Sequence, residues 1–100
     1  MYQNNTILHH PTRIVLRLLD ETLLPRYSKE SYEGHTQYSG FGRGNITVRH
    51  DPVPRGAFVH VRRPFNRETA AELLRKLKLE GLNVEEGLPT EDGRYYLISE

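Results

Sequence analysis

One hundred residues, 36% apolar and 27% charged, can bury a core without metal or disulfide help and describe one globular domain; no apolar run reaches the roughly 18 residues of a membrane span. The lack of cysteine removes disulfide frameworks, thiol nucleophiles and cysteine zinc sites, and with no secretion signal in the text a cytoplasmic setting is expected. Net charge is only +1, yet ten Lys or Arg stand against five Asp or Glu in residues 1–67 and four against eight in residues 68–100, which predicts a basic part and an acidic part.

Residues 1–12, polar and carrying Pro11, read as an arm or short edge strand, with the α+β domain proper over residues 13–100. The segment TRIVLRLLDETLLP, residues 12–25, supports two readings. A strand over residues 13–19 places Ile14, Leu16 and Leu18 on one face and Val15, Arg17 and Leu19 on the other. A helix has Thr12 as its cap, a stripe of Val15, Leu18, Leu19 and Leu23, and Pro25 as its stop. The strand is preferred, because β-branched residues lead the segment and the remaining elements call for a central strand. Residues 25–44, PRYSKESYEGHTQYSGFGRG, carry four Gly, three Tyr and one Phe. The first half allows one or two helical turns and the second is too glycine-rich for a helix, so a long loop or a working segment is expected.

The best-defined unit follows. NITVRH and AFVHVR flank the turn DPVPRG, and pairing Asp51 with Gly56 sets His50 opposite Ala57, Val48 opposite Val59 and Ile46 opposite Val61 on an apolar face. The other face then carries Arg49 across from Phe58 and Thr47 across from His60, with Arg62 next along. A helix is predicted over residues 67–80. Asn66 is its cap, TAAE has capping-box spacing, and Ala70, Leu73, Leu74 and Leu77 form its stripe. Glu72 and Lys76 make a four-residue ion pair, and Gly81 is a left-handed stop with Leu82 packed on Leu77. LNVEEGL and RYYLIS are two extended runs around the turn PTEDG.

The five histidines form no metal pattern. His9 and His10 point opposite ways on a strand, His35 lies in a loop, and His50 and His60 fall on opposite faces of the paired strands; HExxH is absent, so no metal site and no cofactor are expected. Ser28, Ser31 and Ser39 lie near His35 without a GxSxG or SxxK setting, and a binding module without catalysis is expected. GFGRG lacks the order of a phosphate loop. As an aromatic and arginine tract, YSGFGRG has the composition used for flexible contact with single-stranded nucleic acid.

RGAFVHV, residues 55–61, resembles the third-strand pattern of the RNA-recognition motif, which runs basic, Gly, aromatic, small, aromatic, aliphatic, any, aromatic. Arg55 and Gly56 match its start, Ala57 its small residue, Phe58 its second aromatic and Val59 its aliphatic; the first aromatic is absent and Val61 replaces the last. FGRGNITVRHD is similar to the family's second strand, ETAAELLRKLKLEGLN to its second helix and DGRYYLIS to its last strand, while its first strand would fall on residues 14–19. The resemblance implies an α+β fold of ferredoxin-like βαββαβ order, an antiparallel sheet packed on one clear helix. Single-stranded nucleic acid would lie on the open sheet face, with Phe58 stacking on a base and Arg49, His60 and Arg62 beside it. Tyr38, Phe41 and Arg43 would join from the preceding loop. The alternative partner is a protein, met by the acidic final third or by an edge strand added to another sheet, as in a small adaptor or inhibitor. The sequence leaves the oligomeric state open.

Overall fold

A computed structural model describes residues 10–49 and 56–100. Residues 1–9 of the expected arm, and the turn 50–55 with His50, Asp51 and Arg55, lie outside the described residues.

The first described element corrects the preferred reading of residues 13–19: they belong to a helix, α1 (His10–Leu23). Helical spacing gathers Ile14, Val15, Leu18, Leu19 and Leu23 into one buried stripe, whereas a strand would have divided them between two faces. The β-branched pair Ile14 and Val15 costs the helix only tenths of a kcal/mol each, ~0.5 or less, which the burial of either side chain outweighs. Pro11 sits in the first turn, where its missing N–H removes no helical bond. Thr12 is therefore inside the helix, fully buried, and is not its cap.

Residues 28–40 correct the second expectation. In place of a long loop they form a hairpin, β1 (Ser28–Tyr32) and β2 (His35–Gly40), closed by the two-residue turn Glu33-Gly34, with Tyr32 paired to His35. Gly34 supplies the φ of 91° that such a turn needs and that other residues resist. A three-residue turn, Phe41 to Arg43, leads into β3 (Gly44–Arg49), and β4 (Gly56–Arg62) follows. The β3–β4 register is the predicted one: Ile46 faces Val61, Thr47 faces His60, Val48 faces Val59 and Arg49 faces Phe58.

Helix α2 (Arg67–Leu79) also meets its expectation. The Asn66 side chain accepts a hydrogen bond from the Thr69 amide at 2.9 Å, which leaves Thr69 inside the helix and the TAAE box unused. At the other end the Leu82 amide donates to the Leu77 carbonyl and the Gly81 amide to that of Lys78, the two bonds of a Schellman ending, with Gly81 at φ 87°. Glu72 pairs with Arg75 at 2.5 Å rather than with Lys76. The extended runs then form β5 (Asn83–Glu86) and β6 (Gly93–Ser99).

All six strands join one antiparallel sheet in the order β1-β2-β3-β4-β6-β5. The chain thus runs αββββαββ, and the ferredoxin-like succession is not reproduced. What it retains is a split βαβ unit: β4 and β5, joined through α2, run parallel with β6 antiparallel between them. α1 packs on β4, β6 and α2, and α2 on β5, so both helices cover one face. Tyr38, Ile46, Val48, Ala57, Val59, Tyr96 and Ile98 point into that layer and are buried. Alternation sends their neighbours to the other face, which no described element covers. Among the described residues no helix is long and apolar enough to cross a membrane.

Candidate nucleic-acid interface

The pairing registers fix what the uncovered face displays. One row across the sheet reads Tyr32, His35, Arg49, Phe58, Leu97, Glu85, and the next reads Glu30, Gln37, Thr47, His60, Tyr95. At the centre three rings stack. Tyr95 lies 4.0 Å from His60 between centroids, with planes 11° apart, and 5.2 Å from Phe58 at 23°. The Phe58–Tyr95 separation falls in the range of favourable aromatic pairs, and His60 and Tyr95 lie closer still. A second stack joins Tyr32 and His35 on β1 and β2 at 4.8 Å. The rings lean on one another, so Phe58 and Tyr95 are half-buried and His60 is buried although no layer lies over them.

Charge is unevenly spread around this centre. Arg49 is exposed beside Phe58 and has no carboxylate within ion-pair distance among the described residues. Arg62, at the other end of β4, is held loosely: its Nε lies 3.8 Å from Asp92 and donates weakly, at 3.4 Å, to His60 Nδ1. Because Nδ1 accepts, the proton of a neutral imidazole belongs on Nε2, which is buried, has no hydrogen-bond partner among the described residues and lies 3.8 Å from Asp92. Burial first, and the Arg62 charge second, hold the His60 pKa below its ordinary value, with Asp92 opposing them. Asp92 itself is held below the usual carboxylate range, mainly by its hydrogen bond from Thr90 Oγ1 at 2.8 Å.

Four of the seven residues singled out in the sequence, Arg49, Phe58, His60 and Arg62, therefore share the open face. The other three do not join them. Tyr38 points the opposite way and is fully buried under α1, where its hydroxyl donates to Asp20 Oδ1 at 2.6 Å; Lys29 Nζ reaches the same carboxylate at 2.9 Å. Burial and the Asp20 hydrogen bond push this phenol well above its usual range, so Tyr38 is a core residue. Arg43 lines a depression of about 420 Å³ on the helix side, with Leu23, Tyr27 and Asn66. Phe41 is fully exposed at the β2–β3 turn, at the sheet end that carries Arg62.

Tyr95, the ring linking the other two, was missed in the sequence. Its signal is the YY doublet in RYYLIS, since adjacent tyrosines on a strand must face opposite ways and Tyr96 fits the apolar alternation with Ile98. Toward β5 the face changes character. Phe58, Tyr95, Leu97 and the exposed Leu88 border an open depression of about 450 Å³ whose remaining wall carries Glu85, and Glu86 with its carboxylate paired to Arg94. Among the described residues no three His, Asp or Glu side chains converge as metal ligands. No family model, curated protein or solved structure matches the chain.

Proposed function

We propose that this domain is a binding module that holds single-stranded nucleic acid across β3, β4 and β6, with bases against the Phe58–Tyr95–His60 stack and phosphates at Arg49 and Arg62. The observation that carries the reading is the ring stack, set on an uncovered sheet face between two arginines. Rings offer π-faces that any base can use, and each base–aromatic contact is worth roughly 1–3 kcal/mol. Glu85, on the open face of β5, disfavours a phosphate backbone there and confines the strand to the middle of the sheet.

The same carboxylate favours the second reading, a protein partner. Leu88 and Phe58 beside the Glu85 carboxylate suit a segment with apolar and basic side chains. A fluorescence-anisotropy titration with a labelled single-stranded oligonucleotide separates the two. Nucleic-acid binding requires saturable anisotropy that Tyr95→Ala weakens by roughly 5- to 150-fold, the equivalent of one lost stacking contact. An unchanged affinity in folded Tyr95→Ala, or no anisotropy change with the parent protein, rejects the nucleic-acid reading.

A further inference from the structure

The helix side of the domain has a cleft with a different chemistry. The predicted stripe of α2 is only half used: Leu73 and Leu77 are buried, but Ala70 and Leu74 on its flank stay partly open. They face Val61 and Tyr96 across a cavity of about 440 Å³, closed at one end by Pro89 and Thr90 of the β5–β6 turn. That volume lies in the roughly 300–1,000 Å³ range of small-molecule sites.

Three arginines, Arg63, Arg67 and Arg94, line this cavity beside its apolar residues, and among the described residues no Asp or Glu does. Arg94 is neutralised by its ion pair with Glu86. Arg63 is different, since its Nη2 donates to the main-chain carbonyls of Thr90 and Glu91, which fix its position without cancelling its charge. Arg67, in the first turn of α2, has no carboxylate within ion-pair distance among the described residues. An apolar floor beside two cations that no carboxylate among the described residues neutralises, one of them already oriented, is complementary to a molecule with an apolar body and an anionic head.

We propose that this cleft binds a small amphipathic anion, an aliphatic or aromatic body bearing one carboxylate or phosphate monoester. The body lies between Leu74 and Tyr96, and the head is held by Arg63 and Arg67. The site is on the face opposite the ring stack, so it does not depend on the nucleic-acid reading.

The test uses octyl phosphate as probe, with octanol and inorganic phosphate as its two halves, followed by the methyl NMR signals of the full chain. Octyl phosphate is expected to shift Ala70, Ala71 and Leu74 and to bind about tenfold or more tightly than either half, the effect of one charge-assisted hydrogen bond acting with apolar burial. Arg67→Glu should remove that advantage without unfolding the protein, because an acidic residue suits a helix N-terminus. Ala71→Phe, at an exposed position on the cleft wall, should block the probe while leaving oligonucleotide affinity unchanged. Equal binding of octanol, full binding by folded Arg67→Glu, or shifts confined to the open sheet face would overturn the proposal.

Discussion

The number of phosphates this domain can engage follows from the placement of its arginines, and it sets the salt dependence of binding. Counting from the text alone, Arg43, Arg49 and Arg62 all qualify. In the fold Arg43 lines a helix-side depression, which leaves two on the open face. Each phosphate neutralised on a single strand contributes about 0.7 to the slope of log affinity against log salt, so two give about 1.4, and affinity falls about sevenfold between 50 and 200 mM salt. Arg49→Gln should halve that slope, so that the same salt step costs only about 2.6-fold. Arg49 is exposed and has no ion-pair partner among the described residues, so its replacement should move stability by no more than about 0.5 kcal/mol, and a folding defect does not obscure the result. The assay is oligonucleotide anisotropy at four or more salt concentrations, for the parent, Arg49→Gln and Arg62→Gln. A slope unchanged by both variants places the phosphates elsewhere and refutes the assignment, as does a parental slope near 3.

Three further outcomes test the fold and the electrostatics of the site. Tyr38→Phe deletes a hydrogen bond to a carboxylate, worth about 1.5–3 kcal/mol, and should fall toward the lower figure because Asp20 is partly exposed and can regain water; an unchanged urea midpoint would contradict the Asp20 contact. Gly93→Ala pushes a methyl into the Val61 main-chain carbonyl across the β4–β6 pairing, where neither side is a flexible side-chain end, and should cost about 1–3 kcal/mol or more, read by thermal denaturation. His60 should make stability pH-dependent. Its folded pKa lies below the ordinary 6.5, so the unfolded chain takes up the proton first; the contribution is complete above pH 6.5 and is lost as pH falls through the folded value. Urea midpoints measured from pH 7.5 down to about 5 should decline more in the parent than in His60→Gln, and parallel curves would show that this imidazole does not titrate as its surroundings dictate.

How much of this was legible depended on whether burial left a period in the text. The β3–β4 register could be read to the residue because Ile46, Val48, Val59 and Val61 alternate, and only one pairing puts them on the same face. α2 could be read because Asn66 and Gly81 mark its ends. β1 left no such trace. Its five residues are all exposed at the sheet edge, so nothing alternates, and only the Glu33-Gly34 pair hinted at a hairpin. Tyr38 was misplaced as a consequence: with residues 25–44 read as a loop, no alternation could assign its ring to the side of Thr36 and away from His35 and Gln37. For residues 13–19 the local preferences were nearly balanced and tertiary structure decided. β6 already occupies the place beside β4 where a central strand was wanted, and the helix layer lacked its second member.

The same placement ranks the forces at the proposed site. Two arginines on a domain of net charge +1 supply little long-range attraction, and Asp92 competes for one of them. Stacking is not screened by salt, and one lost ring contact is worth roughly 5- to 150-fold in affinity, a range that begins near the sevenfold change expected between 50 and 200 mM salt and extends well above it. Nucleic-acid binding here should therefore be limited by the rings, not by the arginines. At 200 mM salt Tyr95→Ala should weaken oligonucleotide binding more than Arg49→Gln does. The reverse order would mean that the strand is held by charge at the edge of the sheet and that the three rings serve only to brace one another.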